Sequence, residues 1–324
     1  MDLQGFLNEW HNDSPTILVH TSGSTGTPKP MWVEKRRMEA SARMTCTFLG
    51  LKPGDTALLC MSLDYIAGKM MVVRALTCGL RLITVSPSGH PLSDTPDTGG
   101  SDFAAMVPLQ VYNSLQVPEE CERLKQIKHL IIGGGAIDAA LERALADFPN
   151  PVYSTYGMTE TLSHIALRRL NGPDRSDWYT PLEGVAVSLN AEGCLVVDAP
   201  ALHDGPLVTN DLAVLEPSRF RIVGRKDNVI CSGGVKIQIE EVERLLREHL
   251  EEPFVVTRRP DEKFGEAVVL LTEGDVDGAR TVCQRVLPKY WQPRGYVRVD
   301  SIPLTATGKP ARKEAERLAA QPSR

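Results

Sequence analysis

Thr21-Ser-Gly-Ser-Thr-Gly-Thr-Pro-Lys29 crowds five hydroxyl side chains, two glycines and a lysine into nine positions, directly after the apolar run Ile17-Leu18-Val19. Gly23 and Gly26 let the backbone turn tightly and bring its N–H groups close to a guest. Thr21, Ser22, Ser24, Thr25 and Thr27 add hydroxyls, Lys29 adds a positive charge, and Pro28 stiffens the exit. A polyphosphate is the ligand that needs so many donors in so small a space. The common nucleotide-binding signature spaces its glycines differently and follows the second directly with Lys-Ser or Lys-Thr. Here Lys29 stands three residues after Gly26. Taken by composition alone, such a loop is an ordinary surface turn, so the rest of the chain has to agree.

The chain has 324 residues, which suggests two domains at roughly 100–200 residues each. A hydrophobic fraction of 42%, a charged fraction of 24% and a net charge of −5 fit an enzyme-like globular protein. No basic block points to nucleic acid. No run of about 18 apolar residues suggests a membrane span. The start, Met1-Asp2-Leu3-Gln4, lacks the features of a secretion signal. Seven scattered cysteines without a Cys-x-x-Cys pair read as reduced, structural thiols of a cytoplasmic protein.

The patterning is α/β. Strand-like runs at 17–20, 57–61, 81–85, 130–132 and 151–154 alternate with helix-like segments at 34–48, 67–78 and 137–148. That alternation predicts a largely parallel sheet covered by helices, with ligands at the loops beyond the strand ends. From about Trp178 the runs shorten (185–189, 194–198, 207–209, 213–215) and predict a small antiparallel β-subdomain. After Gly224, a helix at 239–250 and strands at 252–257 and 267–272 read as a small α+β domain.

Further constellations carry chemistry. In Tyr156-Gly-Met-Thr-Glu160, Gly157 permits a tight turn, and Tyr156 offers a flat face to a purine. Thr159 and Glu160 suit an α-phosphate and a Mg²⁺ ion; alone, the segment also reads as a capped helix start. His129-Leu-Ile-Ile-Gly-Gly-Gly-Ala136 is a strand running into glycines, by itself an ordinary strand–helix turn. Thr209-Asn-Asp211, Gly224-Arg-Lys-Asp-Asn-Val-Ile230 and Ser232-Gly-Gly-Val-Lys-Ile237 follow. Near the end stands Pro303-Leu-Thr-Ala-Thr-Gly-Lys309, whose lysine would in isolation be a solvated surface residue.

Together and in this order, these motifs resemble the adenylate-forming superfamily of acyl- and aryl-CoA ligases, luciferases and peptide-synthetase adenylation domains. The resemblance spans nearly the whole chain. It implies ATP, Mg²⁺ and coenzyme A, with 21–29 gripping the β- and γ-phosphates. Gly134, Gly135 and Ala136 would line the acyl and adenine pockets, Tyr156 and Gly157 would hold adenine, and Glu160 would hold the metal beside Thr159. Asp211 matches the aspartate that holds both ribose hydroxyls, two acceptors for a diol. Asn210 replaces the family's usual glycine there. Arg225 matches an arginine near the ribose, and Gly233 and Gly234 match a pantetheine-tunnel loop. Asp227 matches the hinge between a large domain, 1–223, and a small mobile C-terminal domain, 224–324. Lys309 matches the adenylation lysine, a cation between two joining anions.

Only about twenty residues precede the phosphate loop where relatives carry a long region. A naturally compact enzyme and a missing piece both remain open. Short ligands of this kind resemble the o-succinylbenzoate–CoA ligases of menaquinone biosynthesis, which makes that acid the leading substrate. Tyr65 replaces the family's aromatic or histidine gate. Lys69 and Arg74 are cations in an otherwise apolar helix, and Lys69 is the candidate for the second carboxylate of the substrate. His164 stands as either a pocket or a structural residue. A ligase for another acid, a domain loading a carrier protein and an idle ATP-binding relative remain alternatives. The partner expected is a small carboxylic acid; the sequence carries no oligomerisation signal, and a homodimer is kept open.

Overall fold

The computed structural model describes residues 1–20, 30–95, 100–135, 137, 139–305 and 310–321. Helix α1 (Leu3–His11) is followed by strands β1 (Thr16–His20) and β2 (Pro30–Glu34), helix α2 (Lys35–Leu49), strand β3 (Thr56–Leu59) and helix α3 (Ile66–Cys78). Strands β4 (Arg81–Thr84) and β5 (Phe103–Met106) lead to helices α4 (Pro108–Leu115) and α5 (Pro118–Gln126). Then come β6 (His129–Ile132), α6 (Ala139–Leu145), β7 (Val152–Gly157), β8 (His164–Arg169) and β9 (Thr180–Pro181).

A seven-stranded sheet in the order β4-β3-β5-β6-β7-β8-β9 forms the frame. It is parallel from β4 through β7 and antiparallel from β7 to β9. Every residue of β3 and β5 is buried. Central parallel strands covered on both faces need such continuously apolar runs. Leu58, Met106, Leu130 and Ile132 pack there with Leu141 and Leu145 of α6. The expected α/β class and largely parallel sheet are therefore present. One expectation fails. The strand before residues 21–29 does not join that sheet: among the described residues β1 pairs with β2 alone, antiparallel, from Thr16↔Glu34 to His20↔Pro30. Its alternating burial is that of a ribbon covered on one face.

Strands β10 (Ala186–Leu189), β11 (Cys194–Asp198), β12 (Leu207–Glu216) and β13 (Arg219–Arg225) form a four-stranded sheet in chain order. The two short strands expected at 207–209 and 213–215 are one ten-residue strand. Strands β14 (Val229–Ser232) and β15 (Val235–Gln238) then lead to α7 (Ile239–Leu246), β16 (Phe254–Asp261), β17 (Gly265–Thr272), α8 (Val276–Val286), β18 (Gly295–Arg298) and α9 (Arg312–Ala319). Their sheet runs β15-β14-β17-β16, with β18 parallel to β17. Ile230, Ile237, Val242, Val256 and Leu270 share one core with Cys283. Val255, Val269 and Leu271 share another with Ala315 of α9.

The chain divides into two compact units. One comprises Met1–Ser188, Val196–Leu207 and Leu215–Arg221; the other comprises Leu189–Leu195, Val208–Val214 and Ile222–Arg324. All seven cysteines are free thiols. Among the described residues, no helix is long and apolar enough to cross a membrane.

Candidate active site

The turn after β7 is built around Gly157. A Cβ there would lie 2.3 Å from the Ser163 carbonyl oxygen, so no larger residue fits without moving backbone. The β7–β8 register shifts at Tyr156/Gly157. The Thr161 hydroxyl then ties the turn: it accepts from the Met158 amide at 3.0 Å and lies 2.7 Å from the Ser163 carbonyl oxygen. Leu162 adopts φ +66°, a left-handed conformation that a leucine takes only when its surroundings impose it. The turn buries Thr159 and leaves Glu160 exposed. Glu160 has no hydrogen bond or ion pair among the described residues.

An aromatic stack stands behind Tyr156. Its ring meets Phe220 edge-on at 5.2 Å, and Tyr179 at 5.8 Å. Tyr179 and Phe220 stack on each other at 5.6 Å, and the Tyr179 hydroxyl lies 3.0 Å from Ser154 Oγ. Arg168 sits over the Tyr179 ring at 5.7 Å and pairs with Glu142. Edge-to-face packing of this kind fixes a ring's tilt as well as burying it. Sequence reading missed Tyr179 and Phe220. The available signal was weak: one aromatic beside Trp178 and one in the alternating run of β13.

At the end of β6, a Cβ on Gly133 would lie 2.3 Å from Thr155 Oγ1, and Gly134 has φ +78°. Gly134 and Gly135 thus present bare backbone just beyond a central strand.

The acids and cations of β12 and β13 come together in the second unit. Arg225 Nη1 lies 3.6 Å from Asp211 Oδ1, and Arg225 Nη2 donates to Asp227 Oδ2 at 3.1 Å. Asn210 Nδ2 also donates to that Asp227 oxygen, at 3.2 Å. The Asp211 amide donates to Thr209 Oγ1 at 3.0 Å. Gly233 and Gly234 turn the chain between β14 and β15 at φ +59° and +83°. A Cβ on Gly233 would meet the Phe264 ring at 2.9 Å, whereas Gly234 faces open space.

Tyr65 precedes α3 and is 52% exposed. Lys69 is 4% exposed; its Nζ donates to the Leu18 carbonyl at 3.2 Å and lies 5.6 Å from the Phe6 ring. Burial lowers its pKa, against the opposing charges of Glu9 and Asp64. Arg74, five residues on, is 2% exposed. One Nη donates to Ser163 Oγ at 2.7 Å, and the guanidinium lies over Phe103 at 5.9 Å. Its buried Nε has no partner, and no carboxylate pairs with it among the described residues. Burial brings even its pKa down to about 10, partly offset by Cys46 and Cys78.

His164 is buried, with Nε2 3.1 Å from Thr45 Oγ1 and Nδ1 3.3 Å from Ser163 Oγ. The Thr45 hydroxyl already donates to the Ser41 carbonyl at 3.1 Å. Nε2 must therefore carry the proton, an assignment that rests on this network. Burial, and then Arg74, hold the His164 pKa well below 6.5.

Thr21, Ser22, Gly23, Ser24, Thr25, Gly26, Thr27, Lys29, Ala136 and Lys309 lie outside the described residues.

Comparison with known proteins finds relatives along nearly the whole chain. It is 27% identical over 346 residues to the 2-succinylbenzoate–CoA ligase of Bacillus mycoides, covering 96% of this chain and 71% of that protein. A solved acyl-CoA synthetase (AMP-forming)/AMP-acid ligase II-like protein from Dyadobacter fermentans is 33% identical, with a TM-score of 0.67 over 96% of this chain and 91% of that one. The fold also matches the O-succinylbenzoate coenzyme A synthetase of Bacillus subtilis solved with ATP and magnesium, with a TM-score of 0.76, 22% identity, and coverage of 92% of this chain and 69% of that one. Residues 5–206, well over half the chain, match the AMP-binding enzyme family, and the chain belongs to that family.

Proposed function

We propose that this chain is an AMP-forming acid–CoA ligase whose acid carries a second carboxylate, with 2-succinylbenzoate the first choice. The relatives bearing that activity in their names support the reaction. The observation that carries the choice of acid is Arg74, a wholly buried guanidinium with an unused Nε and no carboxylate partner among the described residues. A buried charge is costly unless paired. A substrate carboxylate would pair it; a neutral aryl acid would not. Lys69 was the expected partner for that group, but its ammonium is already held by a backbone carbonyl, so the reading moves to Arg74.

The chemistry has two steps. A carboxylate oxygen of the acid attacks the α-phosphorus of ATP, and pyrophosphate leaves. The sulfur of coenzyme A then attacks the acyl carbon, and AMP leaves. In the first step Tyr156, braced by Phe220 and Tyr179, is proposed to present its face to adenine. The bare backbone of Gly134 and Gly135 would lie alongside, and Asp211 with Arg225 would hold the ribose. The loop 21–29 would take the β- and γ-phosphates.

The donor set fits magnesium. Among the described residues no three His, Cys, Asp or Glu side chains converge into a cage. An exposed, unengaged Glu160 suits an ion that takes one or two carboxylates and completes its shell with phosphate oxygens. When bound, such an ion would offset negative charge on those oxygens. Thr159 would contact the α-phosphate, and Lys309 would place a cation between the joining anions. Tyr65 would stand at the acyl entrance. For the second step the proposal divides the chain into 1–223 and a mobile 224–324 pivoting at Asp227, with Gly233 and Gly234 lining the pantetheine path. The cytoplasm, where ATP and coenzyme A are available, is the proposed setting.

Pyrophosphate release from ATP and Mg²⁺, measured over a panel of acids and followed by thioester detection with coenzyme A, tests this reading. Turnover should be highest with 2-succinylbenzoate. Release with neutral benzoates alone would overturn the choice of acid, and no release with any acid would overturn the ligase.

A further inference from the structure

On the seven-stranded sheet, β7 presents two aromatic residues three positions apart, Tyr153 and Tyr156. An odd spacing sends their side chains to opposite faces. The face carrying Tyr156 belongs to the proposed active site. The other face opens into a groove of about 380 Å³, lined among others by Phe48, Tyr153, Arg169, Arg175, Trp178 and Arg219. Asp174 is the only carboxylate in its lining. The lining is therefore aromatic and net positive, and the volume lies at the small end of the range for small-molecule sites.

The arginines are held in place before any ligand arrives. Arg169 lies over the Tyr153 ring at 5.2 Å, with its Nε fixed by the carbonyl and side-chain oxygens of Asn171 at 3.0 and 2.8 Å. Arg219 lies over Trp178 at 5.1 Å, with its Nε on Glu216 at 2.6 Å. Both arginines use Nε, and Arg169 also donates from Nη1 to the Tyr153 hydroxyl at 3.3 Å, which leaves Arg219 and Arg175 as the cations of the lining with Nη groups to spare. Arg175 is half exposed, with only a 3.7 Å contact to Glu142. A guanidinium already held over a ring loses little freedom when an N–H group meets an anion. Phe48, edge-on to Tyr153 at 5.8 Å, supplies an apolar wall from the end of α2.

We propose that this groove is a second binding site, separate from the AMP-binding face, for a small aromatic anion such as an aryl carboxylate or sulfonate. The rings and the guanidinium planes take the aromatic body, and Arg175 and Arg219 take the acid group. That this groove is separate from the AMP-binding face rests on the proposed placement of adenine at Tyr156; its affinity for an aromatic anion does not.

The test is a fluorescence titration of the full chain with 8-anilinonaphthalene-1-sulfonate, repeated with ATP and Mg²⁺ present. Arg175→Glu and Arg219→Glu should each weaken binding about tenfold, the scale of one lost charge-assisted contact. Arg280→Glu, equally exposed and likewise stacked on a ring, Tyr296 at 5.1 Å, serves as the charge-matched control and should leave binding unchanged. Binding that persists under ATP and Mg²⁺ and falls in the two groove variants supports the site. Equal binding in all variants, equal loss in the Arg280 variant, or displacement by ATP with Mg²⁺ would overturn it. Because the titration reads binding and not turnover, its failure is distinct from failure of the ligase reading.

Discussion

The two ends of helix α3 treat a buried cation in opposite ways. At its start, Lys69 reaches across to the Leu18 carbonyl of β1 and the Phe6 ring of α1, with Glu9 and Asp64 adding favourable charge. Toward its end, Arg74 meets a serine hydroxyl, the Met71 thioether and a ring, and no carboxylate among the described residues. The first cation is satisfied by the fold; the second is held in an environment that penalises its charge. Buried charge is a poor source of stability unless paired. On the proposed reading, the Lys69 end serves packing and the Arg74 end awaits an anion.

Replacing Arg74 by Met probes the difference most directly. Met keeps an apolar, flexible side chain in the space. With 2-succinylbenzoate, kcat/KM should fall about a hundredfold or more, the scale of losing a buried charge partner. A neutral aryl acid should lose far less. Thermal stability should hold or rise, because an unpaired charge has been removed. An equal loss on both acids, with a lower melting temperature, would make Arg74 as structural as Lys69 and erase the contrast.

Ser163→Ala sharpens the same point by removing the acceptor at 2.7 Å from Arg74. The charge stays, but its aim is freed. The expected loss is about tenfold in kcat/KM for the dicarboxylic acid, near one charged hydrogen bond. The effect should be absent in an Arg74→Met background. Additive effects in that double mutant would show that Ser163 acts independently of the arginine.

Lys69→Met should behave differently. It leaves the Leu18 carbonyl without its donor and should cost about 1–3 kcal/mol of stability in a denaturant titration. The ratio of kcat/KM values between dicarboxylic and neutral acids should not change. A selective rise in KM for the dicarboxylic acid would return Lys69 to the substrate pocket.

The sequence made much of this visible, and its limits are physical. That α3 holds two cations in an apolar run is a local fact, as is the order of residues in Tyr156–Glu160, and both were legible. Which cation is satisfied depends on Leu18 and Phe6, over fifty residues away, and no spacing rule reaches that far. The Asp211–Arg225–Asp227 cluster was legible as separate motifs, but their meeting depends on the pairing of β12 with β13. The strand at 16–20 carried a good local signal and yet does not belong to the sheet its pattern suggests, because its partner β2 lies just beyond residues 21–29. Phe220 and Tyr179 were missed because edge-to-face packing leaves no periodic trace.

The smallest effect concerns the charge state at the Arg74 end. Arg74 donates to Ser163 Oγ, the Nδ1 of His164 faces that same oxygen, and the His164 Nε2 proton faces Thr45. A second proton on this imidazole would put another cation beside an arginine that already lacks a counter-charge. Burial therefore holds the folded-state pKa of His164 well below the 6.5 of the unfolded chain. Between those values the unfolded state takes up a proton that the folded state refuses. The stability contribution is complete above about pH 6.5 and is lost as pH falls, at up to about 1.4 kcal/mol per pH unit for one proton. His129 is also lowered by burial and adds a similar slope, so the informative quantity is a difference between proteins. His164→Gln keeps a donor toward Thr45 but cannot titrate. Denaturant titrations from about pH 7 to 5 should give the variant a shallower loss of stability than the parent. Identical slopes would mean that His164 is not held neutral, and that the Arg74 end tolerates positive charge as readily as the Lys69 end does.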